Sequence, residues 1–205
     1  MFTKKPFQKL LHYSRKCAQL QTKDVKIAEK YNDLIDGEVL LLKEKGFDFS
    51  FYCGGIKYSC PVSADAPYIR PLFCMSTHKK IAEAKADDTH ALDFDVPSDT
   101  GIYSVSDGIV SAIQCDSVSG GNSPLFAGKD NFLYIFNREK NRICCYRHLA
   151  PFDNFQLNQT VKKGELLGHT GMTGYVITPH LHFAIYRIKK KSKYILESMK
   201  IKFVF

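Results

Sequence analysis

The chain has 205 residues, with 29 Lys and Arg against 21 Asp and Glu (formal net charge +8), 44% hydrophobic residues, 13 Gly, 8 Pro, 7 Cys and no Trp. That composition excludes a collagen-like, coiled-coil or fully disordered chain, and the length suggests one principal domain with an appendage. No apolar run reaches the roughly 18 residues of a membrane-spanning helix, and the positive excess suits an anionic partner: nucleic acid, a membrane surface or an acidic cell-wall polymer.

Residues 1–37 read as helical, since Ile27, Tyr31, Leu34 and Ile35 recur at helical spacing after Asp24. The basic start resembles the head of a secretion signal, but Lys9, Arg15 and Lys16 interrupt the apolar core, so no standard signal peptide is expected. From Glu38 the texture changes to short β-prone runs. Residues 47–58 alternate around Gly54-Gly55 as a hairpin, and 61–77, with Pro61, Pro67 and Pro71, read as an extended connection. The organisation expected is a helical extension (1–37), a β-rich linker or small subdomain (38–75) and a β domain (76–205).

In that last part, residues 102–113 alternate on both sides of Asp107-Gly108, the strongest hairpin signal in the chain. Residues 132–136 and 143–149 form a second strand pair. A third unit, 161–168, leads through the glycine-rich 171–174 into a strand over 180–187, and the alternating 200–205 closes an edge. Seven cysteines, at 17, 53, 60, 74, 115, 144 and 145, show no C-x-x-C pattern and cannot all pair. They read as reduced and mostly buried, with a disulfide among 53, 60 and 74 as the alternative. Cys144 and Cys145 should point to opposite faces of one strand. The basic run Arg187, Lys189, Lys190, Lys191 and Lys193 reads as a solvated strand end. No aromatic residues interleave with it as a nucleic-acid groove requires, so nucleic acid is not the expected partner.

The sharpest chemical signal is Pro179-His180-Leu181-His182-Phe183. On a strand, residues i and i+2 share a face, so two imidazoles project together while Leu181 and Phe183 enter the apolar side. Such a pair can place one metal ligand beside one group that works on substrate. Asp93, in HALDF, is a carboxylate inside an apolar strand pattern, costly to bury without a cation or donor. His148, in YRHL, ends another strand and is a candidate imidazole either for catalysis or for bracing a metal ligand.

These residues stand in an ordered series: HALDFDVPSDTGIYSVSDGIV, then KDNFLYIF, then YRHL, then VKKGELLGHTGMTGYVITPHLHF. From about residue 76 to 187 the chain resembles the lysostaphin-like (LytM-type) zinc endopeptidases, which cleave stem peptides or cross-links of peptidoglycan. The resemblance implies a mainly β fold, a split antiparallel β-barrel with a groove lined by loops. It implies one Zn²⁺ per chain held by Asp93 and His182, His148 and His180 as catalytic histidines, a peptidoglycan peptide substrate and a place in the cell envelope. The first histidine ligand departs from the family pattern, which puts it four residues before the aspartate, where this chain has Thr89. His78 after Ser76-Thr77 resembles a version with an inserted loop, residues 79–88; His90, three residues before Asp93, is the alternative, but strand parity turns it away unless a bulge intervenes. Asp99 stands where the family commonly has Gly.

Two rival readings accompany the peptidase. One is a metal-free member of the same fold that binds peptidoglycan or regulates a cell-wall hydrolase. The other is a biotinyl or lipoyl carrier, suggested by SDGIV and VKKGELLG but lacking a modifiable Lys in its usual tripeptide at a hairpin tip.

Overall fold

A computed structural model describes residues 49–66, 69–73, 86–189 and 195–203, with isolated positions before residue 49. The helix expected over 1–37 falls almost wholly outside the described residues, and so does His78.

The short alternating runs form strands: β1 (Phe51–Cys53), β2 (Ile56–Tyr58), β3 (Arg70–Phe73), β4 (Ala86–Asp87), β5 (Leu92–Asp95), β6 (Gly101–Tyr103), β7 (Gly108–Gln114), β8 (Gly120–Gly121), β9 (Asn131–Asn137), β10 (Arg142–Leu149), β11 (Thr160–Val161), β12 (Leu166–His169), β13 (Gly174–Tyr175), β14 (His180–Ile188), β15 (Leu196–Ser198) and β16 (Ile201–Phe203). The mainly β, split-barrel class expected of the chain is the class found. Its main sheet runs β11-β7-β9-β10-β14-β15-β4, with β5 on β14 and β3 on β5. A smaller sheet, β16-β1-β2, joins the expected Gly54-Gly55 hairpin to the C-terminal strand.

The strand pair expected around Asp107-Gly108 is not a hairpin. β6 pairs with β12, while β7 pairs with β9 and β11. A two-residue type I′ turn needs positive φ at both central residues. Gly54 and Gly55 have it, at 56° and 81°, whereas neither Asp107 nor Gly108 does. Gly108 answers to a close approach instead, since a Cβ there would lie 2.6 Å from the Phe136 carbonyl oxygen.

β10 and β14 are buried on both faces. One face enters the main core with Cys144, Tyr146, Leu181, Phe183 and Ile185, to which Phe51, Tyr58 and Phe203 also belong. The other supplies Ile143, Cys145, Ala184 and Tyr186 to a second cluster. Cys144 and Cys145 thus face opposite ways, as strand parity requires, and both are free thiols, as are Cys53 and Cys115. Cys17 and Cys74 lie outside the described residues. Within the basic run, Arg187 and Lys189 are paired with Glu197, with Nε to Oε2 2.5 Å and Nζ to Oε1 2.9 Å.

Candidate active site

One edge of β14 pairs with β10; the other is shared between β5 and β15. That arrangement sets His182 opposite Asp93 on one side and Arg147 on the other. His180 and His182 share the face opposite Leu181 and Phe183, so ordinary pleating delivers both imidazoles to the same place. His182 Nδ1 lies 3.0 Å from Asp93 Oδ1, and His180 Nε2 lies 3.9 Å from the same oxygen. The His148 ring centroid is 4.8 Å from that of His180 and 6.1 Å from that of His182. His182 is shut in at 2% side-chain exposure, whereas Asp93 and His180, at 20% and 15%, open the cluster to solvent.

His148 arrives by a different route. Regular alternation along β10 would give it the parity of Cys144 and Tyr146, facing the main core. The register slips by one residue between Arg147 and Leu149, and His148, with φ 64°, is the extra residue of a β-bulge. The glycine-rich loop secures the irregular backbone. Gly171 N–H donates to the His148 carbonyl (2.9 Å), and the Thr173 hydroxyl donates to the Leu149 carbonyl (2.8 Å). Gly171 must be glycine to come so near, since a Cβ there would lie 2.5 Å from Ala150 N.

The ring nitrogens are oriented by backbone carbonyls. His148 Nδ1 is 2.9 Å from the Thr173 carbonyl oxygen, and His180 Nδ1 is 2.8 Å from that of Thr178. A carbonyl can only accept, so each Nδ1 carries a proton, and the other ring nitrogen, Nε2, is left to face the cluster. Burial, reinforced by the nearby His180 and His182, lowers the His148 pKa to about 3, so it is neutral near pH 7. His182 moves the other way: burial opposes its charge, but Asp88 and Asp93 outweigh that and raise its pKa to about 9.

Asp88 is the site's unexpected member. It is 1% exposed, accepts a hydrogen bond from the Tyr186 hydroxyl at Oδ1 and faces His182 Nε2 with Oδ2 at 3.6 Å. Burial pushes its pKa up, but His182, Tyr186 and Arg147 overcome that and hold it below the usual carboxylate range. At 3.6 Å the His182 contact is an ion pair rather than a hydrogen bond. The other missed pair is Arg147 with Asp130, a two-pronged contact of 2.7 Å (Nε to Oδ2) and 2.8 Å (Nη2 to Oδ1) beside the bulge. The acidic doublet Asp87-Asp88 and the Arg before His148 were visible in sequence, but nothing local shows that either is buried.

With the geometry in place, comparison with known proteins adds lineage. A model of peptidase family M23 matches residues 87–194, just over half of the chain. The chain belongs to peptidase family M23. Over 94 residues it is 31% identical to the glycyl-glycine endopeptidase ALE-1 of Staphylococcus capitis, a match spanning 46% of this chain and 23% of that relative's length. Among solved structures, a zinc-containing peptidase from Vibrio cholerae is 29% identical, covering 48% of this chain and 27% of that one at a TM-score of 0.38. The catalytic domain of lysostaphin from Staphylococcus simulans is 24% identical, covering 53% and 74% at a TM-score of 0.39.

For this M23 chain, the expected site residues Asp93, His148, His180 and His182 come together. His90 lies in an exposed turn with its N–H donating to Ser198 Oγ at 2.9 Å. Among the described residues no group of three or more His, Cys, Asp or Glu is placed to hold one metal ion. The pair Asp93 and His182 nevertheless fits zinc. Carboxylate oxygen and imidazole nitrogen are zinc donors, and their 3.0 Å separation approaches the ~3.3 Å edge of a tetrahedron with bonds of about 2.0–2.1 Å. The two carboxylates around a buried imidazole also favour a positive charge, which a proton supplies when His182 is cationic and a metal can supply in its place.

Proposed function

We propose that this chain is a zinc-dependent endopeptidase hydrolysing amide bonds in peptidoglycan stem peptides or cross-links, in the cell envelope. The observation that supports the reading best is the convergence of Asp93, His182, His180 and His148 from three adjacent strands. Asp93 Oδ1 and His182 Nδ1 would hold the metal, and His78 would complete the ligand set, with His90 as the alternative. A zinc ion held there would supply Lewis-acid chemistry, polarising a carbonyl and lowering the pKa of water toward neutrality.

The remaining chemistry falls to the two histidines. Both are held by Nδ1 on carbonyls, leaving Nε2 of the neutral rings to take a proton from the attacking water or, once protonated, to donate to the amide oxygen or departing amine. Burial keeps His148 neutral near pH 7, while His180 opens to solvent. A peptide amide, whose nitrogen leaves only once protonated, suits this pair of proton-transfer groups. An anionic cell-wall polymer remains a fitting surface partner for the net charge of +8, although Arg187 and Lys189 already share Glu197.

A metal-free member that binds peptidoglycan without cutting it is the second reading. It is favoured by Thr89 standing where the family pattern puts the first histidine ligand. One experiment separates the two: metal analysis of purified protein, with digestion of purified sacculi followed by fragment mass spectrometry. About one zinc per chain and released peptide fragments support the peptidase; binding to sacculi with neither result supports the alternative. Within the peptidase reading, His78→Ala should deplete zinc and abolish hydrolysis while His90→Ala retains metal, and the reverse result would assign the ligand to His90.

A further inference from the structure

We infer that Asp88 is a positioning residue for His182: its carboxylate, fixed by Tyr186, holds the His182 ring by its Nε2 side so that Nδ1 is presented to Asp93. The inference rests on the proposed zinc reading and names a part of the site to which that reading gives no role.

The placement is built by the fold. β4 pairs in parallel with β15, Ala86 with Leu196 and Asp87 with Glu197, which carries the chain inward at the next residue. Asp87 Oδ1 accepts from Thr89 N–H at 2.9 Å, and Ala91 N–H donates to the Asp88 carbonyl at 2.9 Å, closing the turn that leads to β5. Asp88 consequently enters beneath β14, where His182 and Tyr186 lie on one face. Tyr186 takes Oδ1, and Oδ2 is left facing the imidazole at 3.6 Å.

Burying an aspartate at 1% exposure is expensive, and a small apolar residue would pack beside Ala86, Ala91 and Tyr186 at lower cost. A carboxylate makes physical sense there because an imidazole ligating through one nitrogen carries its proton on the other, and a negative charge 3.6 Å from Nε2 favours that tautomer and ring orientation. Tyr186 is the second part of the device: its hydroxyl restrains the carboxylate, and its ring is anchored among Cys145, Ala184 and Tyr134.

The test uses the full chain, with zinc affinity read by competition with a chromophoric chelator and exchange of the His182 ring N–H read by ¹⁵N-resolved NMR. Asp88→Asn should weaken zinc binding by about 10–100-fold, the usual cost of removing an outer partner of a ligating histidine, and the Nε2 proton should exchange faster with water. Tyr186→Phe, which keeps the carboxylate and the ring packing, should move both readouts in the same direction but less far, and it carries the test if Asp88→Asn does not fold. Unchanged affinity and exchange in folded variants would overturn the inference, and so would weaker zinc binding with an unchanged ring proton, because Asp88 would then act through packing alone. Should the wild-type chain bind no zinc, the peptidase reading fails, while ring-proton exchange in metal-free wild type and Asp88→Asn still decides whether Asp88 holds His182.

Discussion

β14 and β10 lie side by side and deliver histidines to the same cluster by opposite means. β14 keeps its pleat, and the period of two places His180 and His182 together with no special backbone. β10 breaks its pleat: without the bulge, His148 would face Cys144 and Tyr146 in the core. A regular strand can offer every second side chain to a site, but only from residues of one parity. A bulge re-aims a residue of the other parity, at the cost of needing outside support for its backbone. Here that support is the loop through Gly171 and Thr173 together with the Arg147–Asp130 pair, so His148 depends on distant sequence in a way that His180 does not.

The largest effects should come from the histidines themselves. His148→Ala and His180→Ala should each lower turnover by roughly 10²–10⁴, the range for loss of acid–base assistance, with zinc content largely kept. His182→Ala should lose zinc and activity together. Metal loss of equal size in all three variants would overturn the proposed division between ligand and proton-transfer group.

The Arg147–Asp130 pair tests the support of the bulge. Asp130→Asn leaves a buried guanidinium without its counter-charge and should cost roughly 3–5 kcal/mol of stability. In the wild type, burial pushes the Asp130 pKa up, but Arg147's hydrogen bonds and charge outweigh it and hold the carboxyl below its ordinary value. A group depressed in the folded state stabilises fully above its unfolded pKa, ~3.9, and loses that contribution as pH falls through the folded value. Urea denaturation between pH 7 and pH 3 should therefore show the gap between wild type and Asp130→Asn holding down to about pH 5 and narrowing below about pH 4. A gap constant to pH 3 would mean the pair contributes little.

A smaller effect should follow from Gly171→Ala, whose Cβ would meet Ala150 N at 2.5 Å. Forcing this backbone apart should cost about 1–3 kcal/mol, and turnover should fall because the His148 carbonyl loses its donor. His180, on the unbroken strand, should keep its ring environment, as its NMR shifts would report. Equal disturbance of both rings would show that the two strands are not independently supported.

What could be read in sequence follows the same division. The PHLHF strand, the mainly β class, the Gly54-Gly55 turn and the opposed faces of Cys144 and Cys145 all rest on a period of two or on local turn chemistry, and all appear in the structure. Asp107-Gly108 had the composition of a turn, but its glycine serves the approach of Phe136, a residue 28 positions later. The parity of His148, the burial of Asp88 and the Arg147–Asp130 contact likewise depend on partners brought from elsewhere in the chain. Periodicity is a property of neighbours; a bulge or a buried carboxylate is a property of the assembled sheet.

The smallest expected effect isolates backbone strain from chemistry. Asp99 and His148 have the same φ, 64°, one in an exposed turn and one in the site. Left-handed backbone costs an L residue about 1–2 kcal/mol, less for Asp, whereas glycine adopts it freely but gives up roughly 0.4–1 kcal/mol through a more disordered unfolded chain. Asp99→Gly should therefore raise stability by no more than about 1 kcal/mol with turnover unchanged. His148→Gly relieves the same angle, yet it should lose activity as deeply as His148→Ala, because both variants remove the imidazole to which the proposed mechanism gives proton transfer. Paired urea midpoints and turnover rates decide the matter: if His148→Gly kept wild-type turnover, the bulge would be a structural irregularity and the site would consist of β14 and Asp93 alone.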